Sequence, residues 1–251
     1  MSVFSRAAYL RRITVAYLGF GPSQLTFWHG TPRAAADFKK DELGPYYMRF
    51  DEKADYSAHL DPDGVPMLDY RGVLGLQYNP IAIAQYALGN HTLWLENNSP
   101  ERLQNLKTAA QWLVENLTPN QHGVPVWSHN FDWEYVERLV APWYSGLAQG
   151  QGISALLRAH QATGKTEYLD AAIKAFEAFE SEVDQGGVIY TDSEGNPWIE
   201  EYIVTRPTHI LNGFIWGLWG VLDLYLATND ERAKSLWEKC VRTLTKNLHT
   251  F

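Results

Sequence analysis

The stretch WIEEYIVTRP, residues 198–207, holds the densest set of groups able to move protons. In an extended chain adjacent side chains point to opposite sides, so one of Glu200 and Glu201 can face a pocket while the other faces solvent. Tyr202 follows, and Arg206 and His209 flank the expected start of a helix. Asn212 lies five residues after Pro207, as Gln85 lies five after Pro80. A carboxylate, a phenol, amides and a cation at one mouth can remove a proton next to a carboxylate group and stabilise the resulting enolate. Each group also has an ordinary explanation. Paired glutamates in a loop are commonly solvated, His209 suits a cap or a packed ring, and Asp132 and Glu134 suit loop hydrogen bonds. Nothing predicts a metal or other cofactor: the histidines are scattered, and neither an HExxH pattern nor a phosphate loop is present.

A second stretch, PWYSGLAQGQGISALLRAHQAT at 142–163, must position that chemistry. Pro142 suits a first helical turn. Gly146, Gly150 and Gly152 then fall inside the helix, each costing about 1 kcal/mol relative to alanine. A helix that tolerates three glycines is expected to have something close against its backbone. Trp143, Tyr144, Ser145, Gln149 and Gln151 cluster there, so this helix is predicted to be interior with its start facing a polar ligand. The second inner helix breaks the amide spacing, with Leu147 five residues after Pro142.

A repeat supports this placement. Prolines 80, 142 and 207 are read as openings of inner helices, and Ser99, Thr166 and Asp230 as N-caps of partner helices. Three helical hairpins are predicted: 80–95 with 99–118, 142–163 with 166–184, and 207–227 with 230–249. The first members are apolar all round and read as inner; the second are amphipathic and read as outer. The expected fold is mainly α, an incomplete α/α toroid of three hairpins covering 79–251. Its long loops, 119–141 and 185–206, carry strand-like pieces at the end where inner helices begin. Residues 1–78 are expected to supply a short helix at 4–18, an irregular wrapping segment and a β-hairpin around a DPDG turn.

The 251 residues carry a net charge of −8 and no Lys/Arg stripe, which excludes nucleic acid as a partner. Cys240 has no partner for an internal disulfide. No stretch is long enough to span a membrane. The sequence reads as cytoplasmic as written, with periplasmic or secreted placement left open. Core packing explains most of the 10 Trp and 14 Tyr, but such an abundance also suits stacking on sugar rings, with Trp143 and Trp198 as candidates.

The stretch PWYSGLAQGQGIS, with EEY and HILNGF after it and GVP…QYNPIAIAQYAL before it, resembles the C-terminal domain of D-glucuronyl C5-epimerases, over about 65–251. The resemblance implies an α/α toroid that inverts C5 of glucuronate to iduronate within a heparosan-like, acidic polysaccharide. One group would take H5 from one face and another would return a proton to the opposite face. It places the family's catalytic pair on Glu201 and Tyr202, and its other motif positions on Tyr144, Gln149, Gln151 and Asn212. Family members continue past the point matching Phe251 with a further tyrosine-bearing segment. The expectation is therefore a fragment, or a member that completes its site with Tyr144 or Tyr202. Its third inner helix would expose an apolar flank and drive self-association into a homo-oligomer. The alternatives are a polysaccharide lyase, a toroidal glycosidase pairing Glu201 with Asp132 or Glu134, and a non-catalytic glycan-binding module.

Overall fold

A computed structural model describes residues 27–28 and 33–251. The helix expected at 4–18 lies outside the described residues. The order is β1 (Arg33–Ala34), β2 (Met48–Arg49), α1 (Asp51–Ala54), β3 (Met67–Asp69), β4 (Leu76–Tyr78), α2 (Pro80–Asn97) and α3 (Pro100–Glu115). Then come β5 (Thr118–Pro119), β6 (Pro125–Val126), β7 (Ser128–His129), β8 (Trp133–Glu134), β9 (Arg138–Leu139), β10 (Trp143–Tyr144), α4 (Gly146–Thr163) and α5 (Thr166–Ala175). The chain ends with β11 (Ile189–Thr191), β12 (Pro197–Ile199), α6 (Leu211–Thr228) and α7 (Glu231–Asn247). The fold is mainly α, with only two-stranded antiparallel ribbons among the described residues.

Helices α2, α4 and α6 form an inner row, and α3, α5 and α7 lie outside them. Each hairpin turns in the same way. Asn98, Gly164 and Asn229 take left-handed conformations, with φ of 53°, 73° and 57°, and end the inner helix. Ser99 and Asp230 then cap the outer helices by accepting hydrogen bonds from Arg102 and Arg232 backbone N–H groups. The middle hairpin differs from expectation: Thr166 is the first helical residue, and Lys165 occupies the cap position without a side-chain capping bond. The outer helix there is also shorter, giving way to 3-10 turns at Phe176–Phe179 and Val183–Gln185.

Only one of the three prolines opens its helix. Pro80 is the first residue of α2, capped by the Asn79 side chain. The four residues after Pro142 are not all helical, because Trp143 and Tyr144 pair with His129 and Ser128; α4 starts at Gly146, capped by Ser145. After Pro207 the chain stays irregular through Ile210, and α6 starts at Leu211.

The glycines of α4 are explained by what touches them. A Cβ on Gly150 would lie 2.5 Å from the Gly217 Cα of α6, so the two helices cross backbone to backbone. A Cβ on Gly146 would lie 2.5 Å from the Glu200 carbonyl oxygen, and one on Gly152 would enter the Trp127 ring. Ile81 of α2 clusters with Leu147 and Ala148 of α4, and Gln85 of α2 bonds Gln151 of α4, so these inner helices begin at the same end.

The flank of α6 away from α4 is not left open, contrary to the apolar patch expected there. Tyr47 stacks on Trp219 with ring centroids 4.8 Å apart, and Phe50 meets Trp216 edge-on at 6.0 Å. None of the large exposed apolar side chains belongs to α6. The Phe50 carbonyl also packs where Gly89 of α2 lacks a side chain. Residues 46–54 therefore bridge α6 to α2. Beneath them the buried Arg158 of α4 bonds Asp223 of α6 at 2.5 Å, the Tyr47 hydroxyl donates to Asp223 at 2.9 Å, and Arg158 Nε donates to the Gly44 carbonyl. The wrapping segment and the helices share one apolar core.

Candidate functional site: a buried carboxylate at the start of the inner helices

The segment 199–202 enters the helical body through its backbone. Glu200 N–H donates to the Val188 carbonyl, and the Glu200 carbonyl accepts from Gly146 N–H at the start of α4. Both glutamates are consequently buried, Glu200 at 1% and Glu201 at 7% exposure, so neither faces solvent as the loop pattern suggested.

Their environments diverge. The Glu200 carboxylate accepts from Thr208 N–H at 3.1 Å and His209 N–H at 3.3 Å, and pairs with His209 Nδ1 at 2.6 Å. It supplies acceptors to an irregular lead-in whose cap residue, Ile210, has no side-chain oxygen. His209 has a φ of 46°, and its ring stacks on Trp198 at 4.2 Å. Trp198 in turn donates from Nε1 to Asp192 and is itself buried. This is a closed hydrogen-bonded knot. Trp198 is buried in it, while His209 is engaged through Nδ1 and one ring face with its side chain still 31% exposed.

Glu201 has no such company. Its Oε2 is buried without a hydrogen-bond partner. The carboxylate lies against Gly213 in the first turn of α6, where a Cβ would sit 2.5 Å from the Glu201 Cβ. Burial pushes the Glu201 carboxyl up from its ordinary value to about 7, and the neighbouring Tyr202 phenol offsets part of that rise. Burial, then the Glu201 charge, hold the Tyr202 phenol firmly protonated. The Tyr202 ring is fixed against Tyr135 at 4.3 Å and Trp143 at 5.8 Å. Trp143 is itself anchored: its Nε1 donates to the Phe131 carbonyl at 2.7 Å, and its ring stacks on His129 at 3.9 Å. Burial lowers the His129 imidazole to about 3, which keeps that wall uncharged. A carboxyl that titrates near neutrality, next to a protonated phenol and an aromatic wall, has the properties an acid–base pair needs.

The other predicted residues are distributed around this pair rather than gathered onto it. Gln149 is a brace: its Oε1 accepts from Trp127 N–H, and its Nε2 donates to the Trp127 and Ser145 carbonyls, which leaves no group for a ligand. Gln151 accepts from Gln85 at 3.2 Å, deep between α2 and α4. Gln85 also lines a cavity of about 100 Å³ with Trp28 and Trp216. Asn212 is exposed beside Gly213. Arg206 is exposed and makes no ion pair or hydrogen bond among the described residues. Tyr144 is half-buried, and burial raises its phenol, but no hydrogen bond or ring contact joins it to Glu201. It points from β10 away from Trp143, into a cavity of about 600 Å³ that also holds Ser128 and Asn130. Asp132 is held by Arg138 at 2.5 Å and by Ala141 N–H, as a loop hydrogen-bonder. Among the described residues no group of three His, Cys, Asp or Glu converges as a metal site.

Two participants were not singled out from sequence: Gly213, the seat of Glu201, and Tyr135, the stacking partner of Tyr202. Tyr135 lies in FDWEY, where only the acids Asp132 and Glu134 drew attention. Its aromatic ring, one residue beyond Glu134, was the available signal.

Residues 121–251, just over half of the chain, match the family model described as D-glucuronyl C5-epimerase C-terminus. A D-glucuronyl C5-epimerase of Caenorhabditis elegans is 38% identical over 155 residues, covering 56% of this chain and 24% of the worm protein. An uncharacterised protein of Methanocaldococcus jannaschii is 30% identical over 122 residues, covering 47% of this chain and 39% of that protein. The chain thus spans well under half the length of these curated relatives. The matched region holds Glu201, Tyr202, Gly213 and the whole of α4 and α6, and on that match the chain belongs to the D-glucuronyl C5-epimerase C-terminal family.

Proposed function

We propose that the chain carries the acid–base centre of a C5-epimerase acting on glucuronate residues within a heparosan-like polysaccharide. The observation that carries this reading is Glu201: buried, titrating near 7, with one oxygen unpartnered and the protonated phenol of Tyr202 next to it in the chain. C5 of a uronate is α to a carboxylate, so removing its proton builds negative charge on the carboxylate oxygens. Glu201 in its ionised form takes H5 and becomes the neutral acid. Tyr202, protonated across the working range, is the candidate acid that returns a proton to the carbon from the other face, and the proton held by Glu201 then passes back to Tyr202 to restore both groups. Arg206, the free cation nearest in sequence, is the candidate counter-charge for the developing enediolate. Asn212 at the first turn of α6 is the candidate donor to sugar hydroxyls. The inner row α2, α4, α6 with its outer partners, seated side by side from a common end, supports reading the body as part of an α/α toroid.

The test is incubation with heparosan in D₂O, with NMR at uronate C5. Deuterium at C5 together with iduronate and an intact polymer is the expected outcome. An unsaturated uronate absorbance instead would make the same carbanion collapse by β-elimination, and the chain a lyase. New reducing ends without either would make it a hydrolase.

A further inference from the structure

Two cavities of about 600 and 770 Å³ lie along the outside of α3 and share Tyr78, Trp112 and Asn116. They form one trough with the Tyr78–Trp112 pair at its middle. The two rings sit 5.5 Å apart with planes tilted by 37°. The Tyr78 hydroxyl donates to Asp61 at 2.6 Å, which fixes that ring, while the Trp112 indole N–H makes no hydrogen bond among the described residues. At one end of the trough the Ser128 and Tyr144 hydroxyls and the Asn130 amide also lack hydrogen bonds among the described residues. Toward the other end Lys107 stands unpaired, and Lys165 is bound to Glu167.

The lining is aromatic and hydroxyl- or amide-bearing rather than basic. Asp61, Asp63 and Glu115 face the same trough as the lysines, so charge does not select an anion there. Flat rings beside free donors and acceptors match a pyranose, whose C–H face stacks while its hydroxyls hydrogen-bond. The ribbon of β7 and β10 divides this trough from the acid–base pair. Ser128 and Tyr144 face the trough, and His129 and Trp143 face Tyr202.

We propose that this trough is a second glycan-binding site, which holds the polysaccharide outside the acid–base centre by stacking on Trp112 and Tyr78. This rests on reading the chain as glycan-active, and not on which bond the centre breaks. The site predicts that a long polymer is held better than a short one, by binding that salt weakens little.

The test compares heparosan polymer with its tetrasaccharide. Polymer binding is measured by calorimetry at low and high salt, and C5 exchange is measured on the tetrasaccharide. Trp112→Ala is expected to weaken polymer binding at least about tenfold, the scale of one lost stacking ring, and to leave tetrasaccharide exchange unchanged. Trp112→Phe should retain most of the binding, Asn130→Ala should lose a few-fold, and Glu201→Gln should bind polymer like the parent. Polymer binding unchanged in Trp112→Ala, or abolished by salt in the parent, would overturn the trough. Polymer binding that depends on Trp112 in a parent that exchanges no C5 hydrogen would leave the trough standing and retire the epimerase reading.

Discussion

Glu200 and Glu201 are neighbours, chemically identical and both buried, yet the fold treats them in opposite ways. Glu200 is saturated: two backbone N–H groups and an imidazole converge on its carboxylate. Glu201 keeps an oxygen without a partner and a single phenol for company. The first arrangement stabilises the lead-in to α6. The second costs stability, since a buried carboxylate without partners resists ionisation. A fold retains such a group where chemistry needs a proton that comes and goes near neutral pH.

The comparison breaks most sharply on activity. Glu201→Gln should lower C5 exchange on heparosan by at least about 10²-fold, the scale of a positioned acid or base. Glu200→Gln should cost far less in exchange measured at a temperature where it is folded. Equal losses would mean that the working carboxylate has been misassigned.

Gly213 tests the seat rather than the group. Gly213→Ala would put a methyl onto the Glu201 side chain. A displaced base of this kind should cost about 10- to 100-fold in exchange, with little change in polymer binding by calorimetry.

The stabilities should move in opposite directions. Glu200→Ala leaves the Thr208 and His209 N–H groups without acceptors and should destabilise by about 2–3 kcal/mol in urea titrations. Glu201→Gln should stabilise at pH 8. Moving a carboxyl from 4.5 to about 7 corresponds to roughly 3 kcal/mol. The native state binds the extra proton between those values, so the penalty is absent below the ordinary carboxylate range and complete above about 7. The gap between parent and Glu201→Gln should therefore open as pH rises through that window. A gap independent of pH would mean that Glu201 titrates normally.

The smallest effect is kinetic. Exchange by the parent should rise with pH to an inflection near 7, where Glu201 becomes a base, and this limb should vanish in Glu201→Gln.

Much of the fold was legible because it is local. Pro80 and Ser99–Pro100 write helix starts into the local sequence, and the apolar first helices against amphipathic second helices told inner from outer. Pro142 and Pro207 misled because proline suits extended lead-ins as well as first turns, and ribbon pairing with residues 128–129 is not visible beside Pro142. At the site, spacing left open which of the two glutamates faces a pocket, and the family resemblance singled out Glu201 and Tyr202. It was silent on their surroundings, which come from across the chain. Gln149 looked like a ligand residue because its partner, the Trp127 backbone, is 22 positions away. The cover over α6 was missed for the same reason: Tyr46, Tyr47 and Phe50 meet that helix only after the chain has folded back.

The glycine crossing of α4 and α6 also fixes the ground on which Glu201 stands. Where Gly150 meets Gly217, no layer of side chains lies between the helices to re-rotamerise, so sliding one past the other is unavailable at that point. Glu201 rests on one of these helices through Gly213, and its neighbour Glu200 is bonded to the start of the other. The floor under the carboxylate therefore behaves as one rigid body. Whatever binds over Glu201 meets a surface whose geometry is set before it arrives.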